Sequence, residues 1–318
     1  MNLLRFPLVV LTEIFKNLDF REKFLITLLS ERAKNTLKLT SAPTHLIISL
    51  TDEFFIHAGP ETLEVMPSNP TVETLDYRFK GEMIRFCLHR GHSRVILPGQ
   101  SPRKQLMLAH HVLDTFRKPT ISVECYFPAL PTTVRDFMKM ANQQKVSIES
   151  FEYNLGGASF EFISRILDEC TEVTDSIKIY SIFPDNFVYN SPRPFKAKNL
   201  YVSETINWMN LKNFVNCRHI DLPVTRKPNR TPQSWNTFFR FWLDSDSPLE
   251  YLRCCKVEAS DFPLMVDGLS NEGIQRDSGD AEWIDLKRRD GSEFVIGRVF
   301  DRVFIMTKRE HSTSWWIR

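Results

Sequence analysis

Apolar residues recur at helical spacing through the first forty positions of the chain. The first predicted helix starts near Pro7 and carries apolar residues three or four positions apart, at Leu8, Leu11, Phe15 and Leu18. Asp19 and Ser30 are residues that cap helix N-termini, and they predict the starts of a second and a third helix. A unit of this size buries little surface by itself, so its large apolar surface requires the rest of the chain or another protein.

The apolar period changes to two after the helices. Short alternating runs such as Leu46-Ile48-Leu50, Leu63-Val65 and Leu75-Tyr77-Phe79 are separated by Gly and Pro. They predict a small β meander over about 44–98, within a β-rich connecting region at 41–100.

From Ser101 onward, strand-like and helix-like patterns alternate. Six segments fit a loose Leu-x-x-Leu-x-Leu template, with anchors at 121, 151, 177, 200, 220 and 252, and helical patterns occur around 106–116, 160–170 and 235–242. Strand–helix units of this length predict a degenerate leucine-rich-repeat-like array over 101–270. The alternative is a non-repetitive α/β domain with a mainly parallel sheet.

The C-terminal segment, 271–318, has a hairpin pattern. Two apolar runs flank Arg289-Asp290-Gly291-Ser292, and a third run follows at 302–307. This predicts an antiparallel cap on the last edge of the array. The predicted fold class is therefore α/β (α+β overall), with the three-helix module at 1–40.

Composition is that of an ordinary globular protein. The chain has 318 residues, 42% hydrophobic, with a net charge of +2, which favours neither nucleic acid nor membrane as a partner. No secretory signal or transmembrane run is predicted. The six cysteines lack paired zinc spacing and are expected to be reduced core thiols, which points to the cytosol or nucleus.

Catalytic and cofactor motifs are missing from the sequence. No nucleophile elbow, phosphate-binding glycine loop or zinc-protease helix occurs, so we expect neither cofactor nor metal. The nearest metal-like pattern, Cys87-Leu88-His89-Arg90-Gly91-His92, is better explained as a polar loop. Arginines around it could instead hold an acidic or phosphorylated peptide. A hydrolase or transferase built from dispersed residues stays open as a distant alternative.

Alternation within the predicted repeats also predicts an exposed face. Apolar template positions should point into the core and the intervening positions outward. The predicted partner-binding residues are therefore Glu152, Lys178, Tyr180, Tyr201, Asp221 and Arg253.

The N-terminal module resembles an F-box. Phe6-Pro7, Val10-Leu11, Ile14-Phe15 and Leu18 stand for the family's Leu-Pro, Val-Leu, Ile-Leu and Leu, and Ser30-Glu31-Arg32 stands for Ser-Lys-Arg with a reversed charge at Glu31. The resemblance implies docking to a Skp-type adaptor and, through it, a cullin. The implied adaptor-binding residues are Phe6, Pro7, Val10, Leu11, Ile14, Leu25 and Leu29.

The second half resembles the nematode F-box-associated type 2 domain. The matching residues are Asn236, Phe239 and Trp242 at three-residue steps, the segment Leu249-Glu250-Tyr251-Leu252, and the hairpin run from Ile284 to Gly291. That domain is thought to recruit substrates. We therefore expect a non-catalytic substrate receptor of a Skp-cullin-F-box ubiquitin ligase that binds an unknown protein target. The alternative is an interaction scaffold without ligase function.

Overall fold

The structure is a computed structural model that describes residues 5–40, 45–59, 72–89, 94–99, 101–116, 119–155, 160–226, 228–277 and 280–313. The helices are α1 (Leu8–Asn17), α2 (Phe20–Leu29), α3 (Glu31–Thr40), α4 (Pro102–Thr115), α5 (Pro131–Gln143), α6 (Phe160–Cys170), α7 (Pro232–Asp244), α8 (Phe262–Met265) and α9 (Lys308–Thr313). The strands are β1 (His45–Leu50), β2 (Phe54–Ala58), β3 (Val72–Phe79), β4 (Glu82–His89), β5 (Arg94–Leu97), β6 (Thr120–Tyr126), β7 (Ser147–Asn154), β8 (Ser176–Ser181), β9 (Asn199–Glu204), β10 (His219–Leu222), β11 (Tyr251–Cys254), β12 (Gln275–Arg276), β13 (Ala281–Lys287), β14 (Glu293–Val299) and β15 (Arg302–Thr307).

Contacts within the chain divide it into two units, Met1–Leu155 and Gly156–Arg318. The predicted segments 1–40 and 41–100 both lie in the first unit, and the predicted array at 101–270 is shared between the two. The chain is an α+β protein with an N-terminal three-helix segment and a C-terminal strand hairpin, as the sequence predicts.

The second and third helices begin where their caps predict, and α1 begins directly after Pro7. Asp19 and Glu22 form a reciprocal capping box at the start of α2. Ser30 Oγ accepts a hydrogen bond from the backbone N–H of Ala33, at 3.1 Å, at the start of α3. Phe15 on α1 and Phe24 on α2 are at most 1% exposed and belong to the core of the segment.

This helical segment also packs on the rest of the first unit. The Phe24 ring meets that of Phe86 on β4 edge to face, at 5.4 Å between centroids. On α4, Asp114 accepts hydrogen bonds from Lys34 and Lys38 of α3. The helices therefore form a common core with α4 and the strands of their own unit.

The strands of the first unit lie in the order β3-β4-β5-β2-β1-β6-β7. Pairing is antiparallel from β3 to β1 and parallel from β1 through β6 to β7. The region predicted as a meander contains these first five strands, with β5 inserted between β2 and β4. The predicted run Leu63-Val65 lies outside the described residues.

In the second unit, β8, β9, β10 and β11 are parallel neighbours, and β15, β14, β13 and β12 continue the order with antiparallel pairing. The predicted C-terminal hairpin and its third strand are therefore confirmed. Gly291 closes the hairpin turn with φ of +86°, which favours glycine. Helix α7 packs on this cap, since the rings of Trp242 and Phe294 meet edge to face at 5.1 Å.

All six predicted template segments are strands, namely β6 to β11. The three predicted helical patterns are α4, which precedes β6, and α6 and α7, which lie between template strands. Helix α5 was not predicted, although Val134, Phe137, Met138 and Ala141 have helical spacing and are fully buried. No helix in the part of the chain that the structure describes is both long and apolar enough to cross a membrane.

Candidate functional site

The predicted adaptor-binding residues differ in how much of each side chain reaches solvent. Leu11 is 3% exposed and belongs to the core of the helical segment. Val10 and Leu29 are 40% and 69% exposed. Pro7 is exposed as well, and Phe6, Ile14 and Leu25 are half-buried. Helix α1 thus buries one side and presents apolar side chains on the other.

Three more apolar side chains are exposed on these helices. Leu8 and Val9 on α1 are 52% and 76% exposed, and Leu39 on α3 is 69% exposed. They were not among the predicted adaptor-binding residues, because family positions do not follow solvent exposure. For Leu8 and Val9, the sequence does indicate exposure: four consecutive apolar residues, Leu8 to Leu11, cover more of the helix circumference than one buried stripe can.

Glu31, the charge reversal in the F-box-like motif, points into solvent. Its side chain is 75% exposed, and one of its oxygens lies 3.9 Å from Lys34 Nζ. The same ammonium lies 2.5 Å from Asp114 Oδ2, which is the closer carboxylate. Glu31 therefore places a negative charge on the surface, two residues after the exposed Leu29.

Five of the six predicted partner-binding residues lie on one face of the second unit. The cross-strand pairs Lys178–Tyr201, Tyr201–Asp221 and Asp221–Arg253 form a continuous row across β8, β9, β10 and β11. Tyr180 stands two residues after Lys178 on β8 and packs its ring against Tyr201, at 5.1 Å. The flanking apolar positions, such as Ile220 and Leu252, are fully buried, as the alternation predicts.

An ion pair organises the middle of this row. The Arg253 guanidinium donates two hydrogen bonds to Asp221, with its Nε 2.8 Å from Oδ1 and its Nη2 2.7 Å from Oδ2. These bonds raise the pKa of Arg253. Partial burial, with Asp221 nearby, raises the pKa of Tyr201, so its hydroxyl stays protonated and can donate to a partner. The row combines paired charges with aromatic surface, a composition found at protein interfaces.

The row ends at the C-terminal cap. Arg253 pairs with Phe304 on β15, and Phe304 is 3% exposed. Its ring stacks on that of His311 from α9, at 6.2 Å. His219 and Tyr251 were not predicted; they stand two positions before Asp221 and Arg253 on the same face, and their ring centroids lie 6.2 Å apart. The same alternation would have identified both.

Glu152, the sixth predicted residue, lies on β7 in the first unit. It is the direct neighbour of Glu124 on β6, and its Oε1 accepts a hydrogen bond from the Tyr126 hydroxyl at 3.0 Å. The sequence placed it on one surface with the other five residues because the alternation is continuous across both units. Its hydrogen bond from Tyr126 lies within the first unit.

The predicted zinc-like pattern is only partly described. Cys87 and His89 lie on β4, while Arg90, Gly91 and His92 are outside the described residues. Among the residues that the structure describes, no group of three or more His, Cys, Asp or Glu could hold a metal ion. All six cysteines are free, and burial raises the pKa of Cys217 to about 12, so this thiol is protonated at neutral pH.

Comparison with known proteins gives no match: no protein-family model, no curated protein and no solved structure is similar to the chain. Function has to be inferred from the residues and geometry of this chain.

Proposed function

We propose that the chain is a non-catalytic receptor subunit of a cullin-based ubiquitin ligase. Its F-box-like helices would dock on a Skp-type adaptor, and its strand–helix region would hold a protein target, in the cytosol or nucleus. The observation that carries the proposal is the exposed apolar surface of the helical segment. Val9, Val10 and Leu29 remain 40% to 76% exposed, whereas Leu11, Phe15 and Phe24 on the same two helices are buried.

The free energy available from this surface is sufficient for docking. Burying one Val or Leu side chain completely is worth about 1.5–3 kcal/mol, and several such side chains lie on α1 and at the end of α2. A charged group in their place would lose that gain and would add the free-energy cost of removing a charge from water.

The row from Lys178 to Arg253 is the surface that we assign to the target. Holding a target there would keep one of its lysines near the charged conjugating enzyme, so the contribution to catalysis is effective concentration. Neither a nucleic acid nor a membrane partner is needed for this role, and no cofactor enters it.

Co-expression with a Skp-type adaptor, followed by size-exclusion chromatography, tests the docking step. The matched variants are Leu29→Asp and Leu39→Asp, because both leucines are 69% exposed near the ends of neighbouring helices and only Leu29 is in the predicted docking set. We expect the wild type and Leu39→Asp to co-elute with the adaptor and Leu29→Asp to elute alone while keeping its circular dichroism spectrum. A folded wild type that elutes without adaptor refutes docking.

An interaction scaffold without ligase function is the second candidate, and Glu31 favours it. Its exposed carboxylate stands where the F-box pattern has Lys, so any pairing that the family lysine makes with an adaptor carboxylate would become a repulsion. If the wild type elutes alone and Glu31→Lys binds the adaptor, the scaffold is the better description. Adaptor binding by the wild type excludes it.

A further inference from the structure

Four polar side chains form a cluster toward the N-terminal ends of β1, β6 and β7 in the first unit. His45 is the first residue of β1, Ser122 is the third of β6, and Glu149 and Ser150 are consecutive on β7. Parallel pairing makes the three strands neighbours. The side chains of His45 and Glu149 are 30% and 46% exposed, and both serines are half-buried, so a molecule in solution can reach the cluster.

A β-bulge places both β7 residues on the outer face of the sheet. The register of β7 against β6 shifts by one residue at Glu149, which is left without a partner in the pairing. Ile148 and Phe151 on either side are buried, so Glu149 and Ser150 are two consecutive outward residues. A regular strand would send one of the two side chains inward, and the bulge is what brings them together.

Three contacts at hydrogen-bond distance connect the four side chains. His45 Nδ1 lies 3.1 Å from Glu149 Oε2, and His45 Nε2 lies 3.1 Å from Ser122 Oγ. Ser150 Oγ donates to Ser122 Oγ at 2.7 Å. An ionised carboxylate only accepts hydrogen bonds, so in the neutral imidazole Nδ1 carries the proton and Nε2 accepts the proton of the Ser122 hydroxyl.

A hydroxyl, an imidazole and a carboxylate in this order form the arrangement that activates a serine nucleophile. The imidazole accepts the hydroxyl proton as the oxygen attacks, and the carboxylate fixes the tautomer and the orientation of the imidazole. Nucleophile and base must lie within about 2.6–3.2 Å of each other, and Ser122 and His45 meet this condition. The residues come from three strands, so no local sequence motif contains them.

A groove begins beside Ser122 on the same face of the sheet. Its volume is about 300 Å³, and one of its lining residues is Ile47, the cross-strand neighbour of Ser122. Phe55 and Tyr126 line it as well. Ligand pockets range from about 300 to 1,000 Å³, so the groove has room for a short acyl chain rather than for a large cofactor. Its aliphatic and aromatic walls suit an uncharged chain.

We propose that Ser122 is a nucleophile that takes an acyl group from a small carboxylic ester, with His45 as general base and Glu149 as positioning residue. Ser122 Oγ forms a bond to the carbonyl carbon while its proton moves to His45 Nε2. That proton passes to the leaving oxygen as the bond between this oxygen and the carbonyl carbon breaks, which releases an alcohol. Water then attacks the acyl group with the same imidazole as base, releases a carboxylic acid and restores the serine.

Ser150 is placed to stabilise the intermediate. The oxyanion forms on the carbon that Ser122 Oγ attacks, and the Ser150 hydroxyl stands 2.7 Å from that nucleophilic oxygen. Once the new bond has formed, the hydroxyl can turn from Ser122 to the oxyanion. The activity goes beyond the proposed receptor function, in which the chain catalyses no step of ubiquitin transfer, and it uses none of the residues assigned to that function.

Labelling of the full chain with a fluorophosphonate tests the nucleophile. The phosphorus of this probe forms a bond to an activated serine oxygen and releases fluoride, and peptide mass spectrometry identifies the modified residue. We expect Ser122 to carry the label. His45→Gln should lower the rate constant of labelling about a hundredfold or more, since a general base contributes about 10²–10⁴. The matched control is His110→Gln on α4, whose imidazole is exposed outside the cluster, and it should react as the wild type does.

Hydrolysis of p-nitrophenyl butyrate tests turnover. Ser122→Ala should abolish it, and Ser176→Ala, at a half-buried serine of β8 in the second unit, should leave it unchanged. Glu149→Gln keeps the size of the side chain and should lower kcat by about tenfold with KM unchanged, because a positioning residue acts on the chemical step and not on substrate binding. Circular dichroism of each variant separates loss of reactivity from loss of fold.

The nucleophile assignment is overturned if the wild type is not labelled, if Ser150 or another residue carries the label instead of Ser122, or if His45→Gln is labelled as fast as the wild type. Labelling of Ser122 without ester hydrolysis overturns the second, hydrolytic step. Loss of kcat in Glu149→Gln with an equal loss in Ser176→Ala overturns the positioning role.

Discussion

His111 makes the packing of the helical segment on α4 sensitive to acid. It is 1% exposed, and its Nε2 lies 2.8 Å from Thr27 Oγ1 on α2. The Thr27 hydroxyl donates to the carbonyl of Phe24 at 2.6 Å, so Nε2 must be the ring nitrogen that carries the proton. The other ring nitrogen, Nδ1, is buried with no hydrogen-bond partner among the described residues. A second proton would therefore have no acceptor.

The pKa of His111 follows from this environment. Burial lowers it from 6.5 to about 4, and the positive charges of Lys34 and Lys80 act in the same direction. As pH falls below about 6.5 the unfolded chain takes up the proton and the folded chain does not, so the free energy of unfolding decreases until about pH 4. This difference between the folded and unfolded pKa lowers the free energy of unfolding by roughly 3 kcal/mol in full, and by about 2 kcal/mol between pH 7.5 and pH 5.

Equilibrium urea unfolding at these two pH values measures the effect. His111→Gln removes the titrating group, and His110→Gln is the matched control because His110 is its exposed neighbour on the same helix. Between pH 7.5 and pH 5, we expect the free energy of unfolding of the wild type and of His110→Gln to fall by about 2 kcal/mol more than that of His111→Gln. An equal decrease in all three proteins would refute the assignment of this acid sensitivity to His111.

Three further predictions concern stability. Hydrogen bonds from Lys34 and then Lys38 lower the pKa of Asp114 to about 2. The stability that the ionised Asp114 contributes is therefore present above the unfolded pKa of 3.8 and is lost as pH falls toward about 2. Asp114→Asn should lower the free energy of unfolding at neutral pH and make it less dependent on pH between about 4 and 2, as measured by urea unfolding across this range. Phe24→Ala empties a fully buried position and should cost about 3–5 kcal/mol by urea unfolding; a loss below 1 kcal/mol would contradict this packing. In Gly297→Ala the new Cβ would lie within 3.0 Å of the Phe304 ring, so the variant should melt lower in calorimetry, and adding Phe304→Leu should restore part of the loss.

Local features of the fold were predictable from the sequence because they depend on neighbouring residues. The caps at Asp19 and Ser30 act within one helical turn, and both helices begin there. Strand alternation identified Tyr201, Asp221 and Arg253 as outward-facing, since successive side chains in a strand point to opposite faces. Helix α5 was missed although its spacing was readable.

Solvent exposure within the helical segment was not predictable in the same way. Leu11 and Val10 are adjacent apolar residues with the same apparent role in the motif, yet they are 3% and 40% exposed. Which of them is buried depends on how α1 packs against α3, and that packing involves residues more than a turn away in sequence.

By itself, the sequence determined the helix caps, the six template strands, the C-terminal hairpin and the outward face of each strand, because these follow from side-chain period and turn chemistry over a few residues. Only the tertiary structure decided which outward-facing residues of different strands become neighbours. Ser49 and Glu124 are hydrogen-bonded although 75 positions separate them, because β1 pairs in parallel with β6. Strand order and register depend on burying all the apolar faces of a unit together, and no local pattern contains that information.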